Sequence, residues 1–314
     1  MQRRVAGRQL TVRRFGWSDA SVEAAQAHAE ARTREALERI LAGEPLPRRD
    51  PKVPYNGAEG VPIREEILER HGETVITRNA YGARCLNTPD VLFADVDFEE
   101  GTDDAWLFPS LAASLLAALA LGLALRSYCV TLVAAVAALF LAGPVARWVR
   151  RRIVRARGGA EEVARARVSA FVQRHPDWHL RVYRTPAGLR VLAMHRTFDP
   201  AEPAVAELFG ALGTDRLYAQ MCLRQHCFRA RVSPKPWRIG IAAHLRPRPG
   251  VWPVKPERLP ERQRWVEEYE RAAQGHAACR FLEAVGSTDV HPAAASVQAV
   301  HDALSRAEEA LPIA

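Results

Sequence analysis

The chain has 314 residues, 48% hydrophobic and 25% charged, with a formal net charge of +8. Those proportions exclude wholesale disorder, and the length suggests about two domains. They also average over a sharp division, because residues 105–146 carry one charge, Arg126, a composition unlike that of a soluble enzyme.

The charge itself is uneven. Residues 1–104 sum to −4, residues 105–149 to +2 and residues 150–314 to +10. A basic half of this kind suits anionic lipid or nucleic acid. All the basic side chains except Lys52, Lys235 and Lys255 are arginine, a skew that fits the codon usage of a GC-rich genome. Nucleic acid is therefore the less favoured partner. The five cysteines are odd in number and widely spaced, and the first 60 residues lack an apolar stretch of the signal-peptide kind. A disulfide framework is not expected, and a reducing cytosol is the natural setting for the polar parts.

In chain order, residues 8–15 alternate enough for a strand. Ser18 or Asp19 then caps a long Ala/Glu/Arg helix ending at Gly43. Pro45, Pro47, Pro51, Pro54 and Pro62 make the next stretch a loop, with Tyr55-Asn56-Gly57 as a turn. A helix is expected over 63–70, a hairpin from 74–78 and 83–86 around Asn79-Ala80-Tyr81-Gly82, and a strand over 91–98.

Two charge-free runs follow, 105–125 and 127–147 up to its closing arginine. At about 1.5 Å per residue each is roughly 30 Å long, the thickness of a bilayer's hydrocarbon core. The break at Leu125-Arg126-Ser127-Tyr128 places Arg126 and Tyr128 where they could anchor at an interface, with Trp106 and Trp148 at the other end. Small residues recur every fourth position, at Ser110, Ser114, Ala118 and Gly122, then at Ala134, Ala138 and Ala142. Such spacing allows the close helix approach by which helices pair in lipid. The expectation is a transmembrane hairpin. Arginines 147, 150, 151, 152, 155 and 157 then place that end, and both termini, in the cytoplasm of a bacterial inner membrane. The same cluster would attract anionic lipid headgroups.

Beyond it, 161–173 reads as a helix. Residues 180–184 and 189–195 read as strands around Thr185-Pro186-Ala187-Gly188, and 204–212 and 215–226 as helices. A strand over 228–232 precedes the Ser233-Pro234-Lys235-Pro236-Trp237 corner and a Pro-rich loop over 246–260. Two terminal helices, 260–285 and 292–311, form a helical hairpin, the second with a stripe of Val297, Val300, Leu304, Ala307 and Leu311. The sum is an α+β fold, a mixed sheet with flanking helices. It comprises an N-terminal part (1–104), the membrane hairpin (105–149) and a C-terminal part (150–314).

The sharpest chemistry lies in Leu92-Phe93-Ala94-Asp95-Val96-Asp97. Carboxylates two apart on a strand share a face, where they could hold Mg²⁺ and orient a phosphate. An ion pair with arginines such as Arg184 or Arg190 is the plainer alternative. Arg184, Arg190, Arg229, Arg231, Lys235 and Arg238 are candidate phosphate or anion ligands. Cys222 and His226-Cys227 lack a zinc spacing, and Cys222 fits a helix face as a small hydrophobe. No P-loop, dinucleotide fingerprint, serine elbow or zinc-protease helix is found. No cofactor is implied except Mg²⁺ at the acid pair, and a protein partner is not specified.

The Asp-x-Asp strand, followed by Tyr183-Arg184-Thr185-Pro186-Ala187-Gly188-Leu189-Arg190, resembles the palm of archaeo-eukaryotic primase-polymerases. The resemblance implies metal-binding acids at Asp95 and Asp97 and a third acid at Asp199. Arg190 and Val191 stand where that family has a nucleotide-binding histidine. The chain as a whole resembles bacterial membrane proteins with no assigned activity. Two roles follow as expectations. The first is a membrane-anchored binding or scaffolding domain. The second is a metal-dependent enzyme acting on a nucleotide or other phosphate.

Overall fold

A computed structural model describes residues 1–5, 8–18, 20–46, 64–98 and 104–314. The Tyr55-Asn56-Gly57 turn, most of its Pro-rich loop, and Asp19 lie outside the described residues. The chain runs β1 (Gln2–Val5), β2 (Arg8–Thr11), α1 (Val22–Leu41), β3 (Glu66–His71), β4 (Thr74–Arg78), β5 (Arg84–Thr88) and β6 (Phe93–Asp97). The apolar helices α2 (Asp104–Ala124) and α3 (Tyr128–Ala156) follow, then α4 (Ala160–Arg174), β7 (His179–Arg184) and β8 (Gly188–Ala193). The remainder is α5 (Pro203–Leu212), α6 (Arg216–Gln225), β9 (Phe228–Arg231), α7 (Leu259–Ala273), β10 (Arg280–Gly286) and α8 (Pro292–Ser305).

The fold is α+β, but the expected mixed sheet is two four-stranded antiparallel sheets, ordered β10-β7-β8-β6 and β3-β4-β5-β9. The order of strands and helices suggested a mixed sheet, yet element order carries no strand direction. Here β4–β5 and β7–β8 close through short turns, and β6 meets β8 antiparallel across the whole α2–α3 insertion. One apolar cluster spans both sheets, from Ile76, Leu86 and Phe228 to Phe93, Val191 and Leu192. All six residues of β8 are buried, as a strand with both faces covered requires.

Three further expectations are corrected. The segment expected as a helix over 63–70 contains strand β3, which pairs with β4 through a bulge between Ile67 and Glu69. Its Glu-Glu-Ile-Leu-Glu-Arg run suits a helix locally, and pairing across the Gly72 turn overrides that preference. The expected helix over 260–285 stops at Ala273, and its second half is β10, an edge strand against β7. No terminal helical hairpin therefore forms, and the last helix ends at Ser305 rather than 311. The strand expected over 8–15 is present as β2 but ends at Thr11, and it pairs antiparallel with β1.

Helix α3 runs to Ala156 and bends by 55° between Leu141 and Gly143. Pro144 cannot donate to the carbonyl of Phe140, and its ring crowds the preceding turn. Among the described residues no single helix is long and apolar enough to cross a membrane. The bent pair Tyr128–Leu141 plus Gly143–Ala156 passes that test by length and composition, and Phe108–Ala124 is a shorter apolar helix.

The β4–β5 turn shows how local sequence meets packing. Asn79 Oδ1 accepts the N–H groups of Tyr81, Gly82 and Ala83 at 3.0–3.2 Å, and Gly82 has φ +107°. A β-carbon on Gly82 would lie 2.1 Å from the ring of Trp265, which stacks on Tyr269 in the core over the second sheet. Gly82→Ala should therefore lower stability by about 2 kcal/mol or more in a chemical-denaturation measurement. An unchanged midpoint would show that Trp265 can withdraw freely.

Candidate functional site

Strand β6 places Asp95 directly opposite Arg190 of β8, and Asp97 opposite Gly188. Arg190 Nε donates to Asp95 Oδ1 at 2.8 Å and Nη2 to Oδ2 at 3.2 Å, a bidentate pair. The guanidinium is 2% exposed, while the Asp95 side chain is 31% exposed. The third nitrogen, Nη1, donates to the carbonyl of Arg231 at 2.8 Å and lies 3.4 Å from His301 Nε2. Both Asp95 oxygens are thus engaged before any cation arrives. Asp97 is exposed at the strand's end. Asp199 caps its own loop, accepting the Ala201 N–H at 2.7 Å. No group of three or more His, Cys, Asp or Glu side chains is arranged to hold a metal among the described residues.

A polar centre that sequence reasoning missed surrounds this pair. His301 Nδ1 lies 2.8 Å from Asp302 Oδ1, and Cys279 Sγ lies 3.9 Å from His301 Nε2. Arg181 donates to Asp302 Oδ2 at 3.1 Å and to the Tyr183 hydroxyl at 2.9 Å. Burial depresses the His301 pKa, but Cys279 and Asp302 outweigh it and raise the value above the ordinary one. His301 sits four residues after Val297, on the buried side of α8, which was the only signal available.

The candidate anion ligands do not form one patch. Arg184 pairs with Glu161 at 3.0 Å, and Arg229 donates to both oxygens of Glu65 at 2.9 and 2.7 Å. Arg190 is spent on Asp95. Arg231 interacts with the Tyr81 hydroxyl, and Lys235 lies 5.5 Å over the Trp237 ring. Arg238 follows in the 3₁₀ turn of that same corner. Trp237 meets Tyr81 edge-on at 5.3 Å and His244 at 5.5 Å, beside a cavity of about 330 Å³ lined by Tyr81, His244, Leu245 and Arg248. Burial pushes the thiols of Cys222 and Cys227 up to about 12, so they behave as packed, protonated side chains.

The apolar hairpin is organised inside out. Ser110, Ala118, Gly122, Ala138 and Ala146 are buried between the helices, whereas Leu116, Leu123, Leu132 and Phe140 face outward, the last 77% exposed. A β-carbon on Gly122 would lie 1.7 Å from Thr131 Oγ1, so the helices touch at that glycine. Arg126 holds φ +49° at the tip, where Ser127 N–H bonds Gly122 O and Arg126 N–H bonds Leu123 O. That is the closing pattern of a helix end with a left-handed residue. Tyr128 is 93% exposed beside it. Trp148 is exposed at the other end, with Arg152 5.2 Å over its ring. Trp106 lies in α2, but its side chain, like that of Arg150, is outside the described residues.

Neither protein-family models, nor curated proteins, nor solved structures yield a match to this chain.

Asp95→Asn should destabilise by about 3 kcal/mol, the low end for a broken buried pair because Asp95 is itself part-exposed. Thermal melts should also show no Mg²⁺-dependent shift, and a metal-dependent rise abolished by Asp95→Asn would reverse the assignment. Glu270 is shared by Arg78, at 2.8 Å, and Arg84. Burial raises its pKa, yet the two arginines win and hold it below the ordinary 4.5. A depressed carboxylate stabilises fully above that ordinary value, and the contribution is lost as pH falls through the depressed one. Glu270→Gln should thus lower the melting temperature at pH 7 and flatten its decline below about pH 4.5.

Proposed function

We propose that the chain is an integral membrane protein whose α+β domain is held at the cytoplasmic face of a bacterial inner membrane by the α2–α3 hairpin. The domain serves binding or scaffolding rather than metal-dependent catalysis. The observation that carries this reading is the inverted hairpin, with small residues inside and Leu, Val and Phe outside. Water would penalise that surface, whereas lipid tails do not. The apolar stretch Phe108–Ala124 rises about 25 Å, somewhat short of the hydrocarbon core, and the second leg passes the length-and-composition test as the bent pair Tyr128–Leu141 plus Gly143–Ala156. Arg126 and Tyr128 then fall at one interface and Trp148 at the other. The arginines from 147 to 157 favour the cytoplasmic side, where anionic headgroups add about 1 kcal/mol each near the surface. The competing enzyme reading needs open carboxylates, and Arg190 occupies both oxygens of Asp95.

Membrane fractions washed with alkaline carbonate should retain the protein, and detergent should release it. In a Cys129→Ala background, Ser127→Cys should react with an impermeant maleimide added from outside intact spheroplasts. Release by carbonate, or labelling only after lysis, would overturn the spanning topology.

A further inference from the structure

A cavity lies away from the acid pair, between the start of α1 and the loop around Trp252. It holds about 510 Å³, within the usual range for small-ligand sites, and is walled by Phe15, Trp17, Val22, Trp252 and Pro253, with Arg64 among its lining. We infer that this cavity binds a planar aromatic anion, its ring between the aromatic walls and its carboxylate or phosphate on Arg64.

The walls select the ring. Three of the large side chains are flat and rigid, and one, Val22, is a branched aliphatic, so a planar body gains more contact than an acyl chain. The charges select the anion. The Arg64 guanidinium lies 5.8 Å from the Phe15 ring centroid, and Arg32 lies 4.7 Å over Trp17. Arg262 lies 5.1 Å over Trp252 but is balanced by Glu66. The carboxylate in the lining, Glu65, is turned to Arg229 and to the Thr77 hydroxyl at 2.7 Å, so its charge is compensated from behind. Glu23 in the first turn of α1 bonds its own N–H and Ser21, which holds its pKa low and occupies the helix's positive end. An incoming anion is left with Arg64. That residue has φ +71°, and its carbonyl accepts the Trp252 N–H at 2.8 Å. One hydrogen bond thus joins the cation to the aromatic wall.

The test uses the full chain in lipid nanodiscs, with empty nanodiscs as the partition control. Calorimetric titration with 2-naphthoate should give one saturable equivalent, and neutral 2-naphthalenemethanol should bind at least about tenfold more weakly. Arg64→Asn keeps a residue that tolerates the left-handed backbone and removes the cation. It should weaken naphthoate about tenfold while leaving the melting temperature and the neutral analogue unchanged. Absence of saturable binding, or equal affinity for the acid and the alcohol, would overturn the proposal. Full naphthoate affinity in folded Arg64→Asn would overturn it as well.

Discussion

A buried guanidinium organises the domain. Arg190 lies in an inner strand of the first sheet and reaches β6 through Asp95, β9 through the Arg231 carbonyl and α8 through His301. An arginine in such a place is tolerable only if its donors are matched, because an unpaired buried charge is far more costly than the pair is worth. Its partners come from both sheets and the last helix. That requirement fixes how these layers meet, on top of the non-directional drive of the shared apolar core.

The same requirement recurs across the second sheet. Arg78 and Arg84 converge on Glu270, Arg262 on Glu66, and Arg229 on Glu65. Glu270 and Arg262 belong to α7, so that helix is fastened to its sheet by charge as well as by Trp265 and Tyr269. Arginine is suited to this, because its planar fork can serve two partners and keep its charge at any accessible pH. Arg190, Arg229 and Arg262 of the basic C-terminal part are thus structural partners of acids in the N-terminal part. The cavity beside Trp17 and Trp252 is a place where arginine, at Arg64, faces a space large enough for a ligand.

The hairpin obeys the opposite rule. Between β6 and α4 the chain leaves the domain, and its helices bury small residues against each other while presenting large ones outward. β6 pairs with β8 from the far side of the insertion, so the strands before and after the hairpin belong to one sheet. Under the proposed membrane topology, the domain is joined to the hairpin on both sides of the insertion, at edge strand β6 and at α4. The 55° bend at Gly143-Pro144 sets the direction in which the arginine-rich end of α3 leaves the apolar part.

Local chemistry alone determined the hairpin's charge-free runs, its small-residue faces, the Asn79–Gly82 and Thr185–Gly188 turns and the shared face of Asp95 with Asp97. Each depends on a helical or strand period, or on a backbone conformation that a few residue types favour. Tertiary structure decided the rest. The Glu-rich run at 66–71 became a strand because a neighbouring strand offered its ladder, and 280–286 became an edge strand because β7 needed a partner. Sequence spacing could show that Asp95 had arginines to choose from, but not that Arg190 would lie directly opposite it. Nor could it bring His301, more than a hundred residues away, against that arginine. Periodicity reports which residues share a face. Only the assembled sheets determine what that face meets.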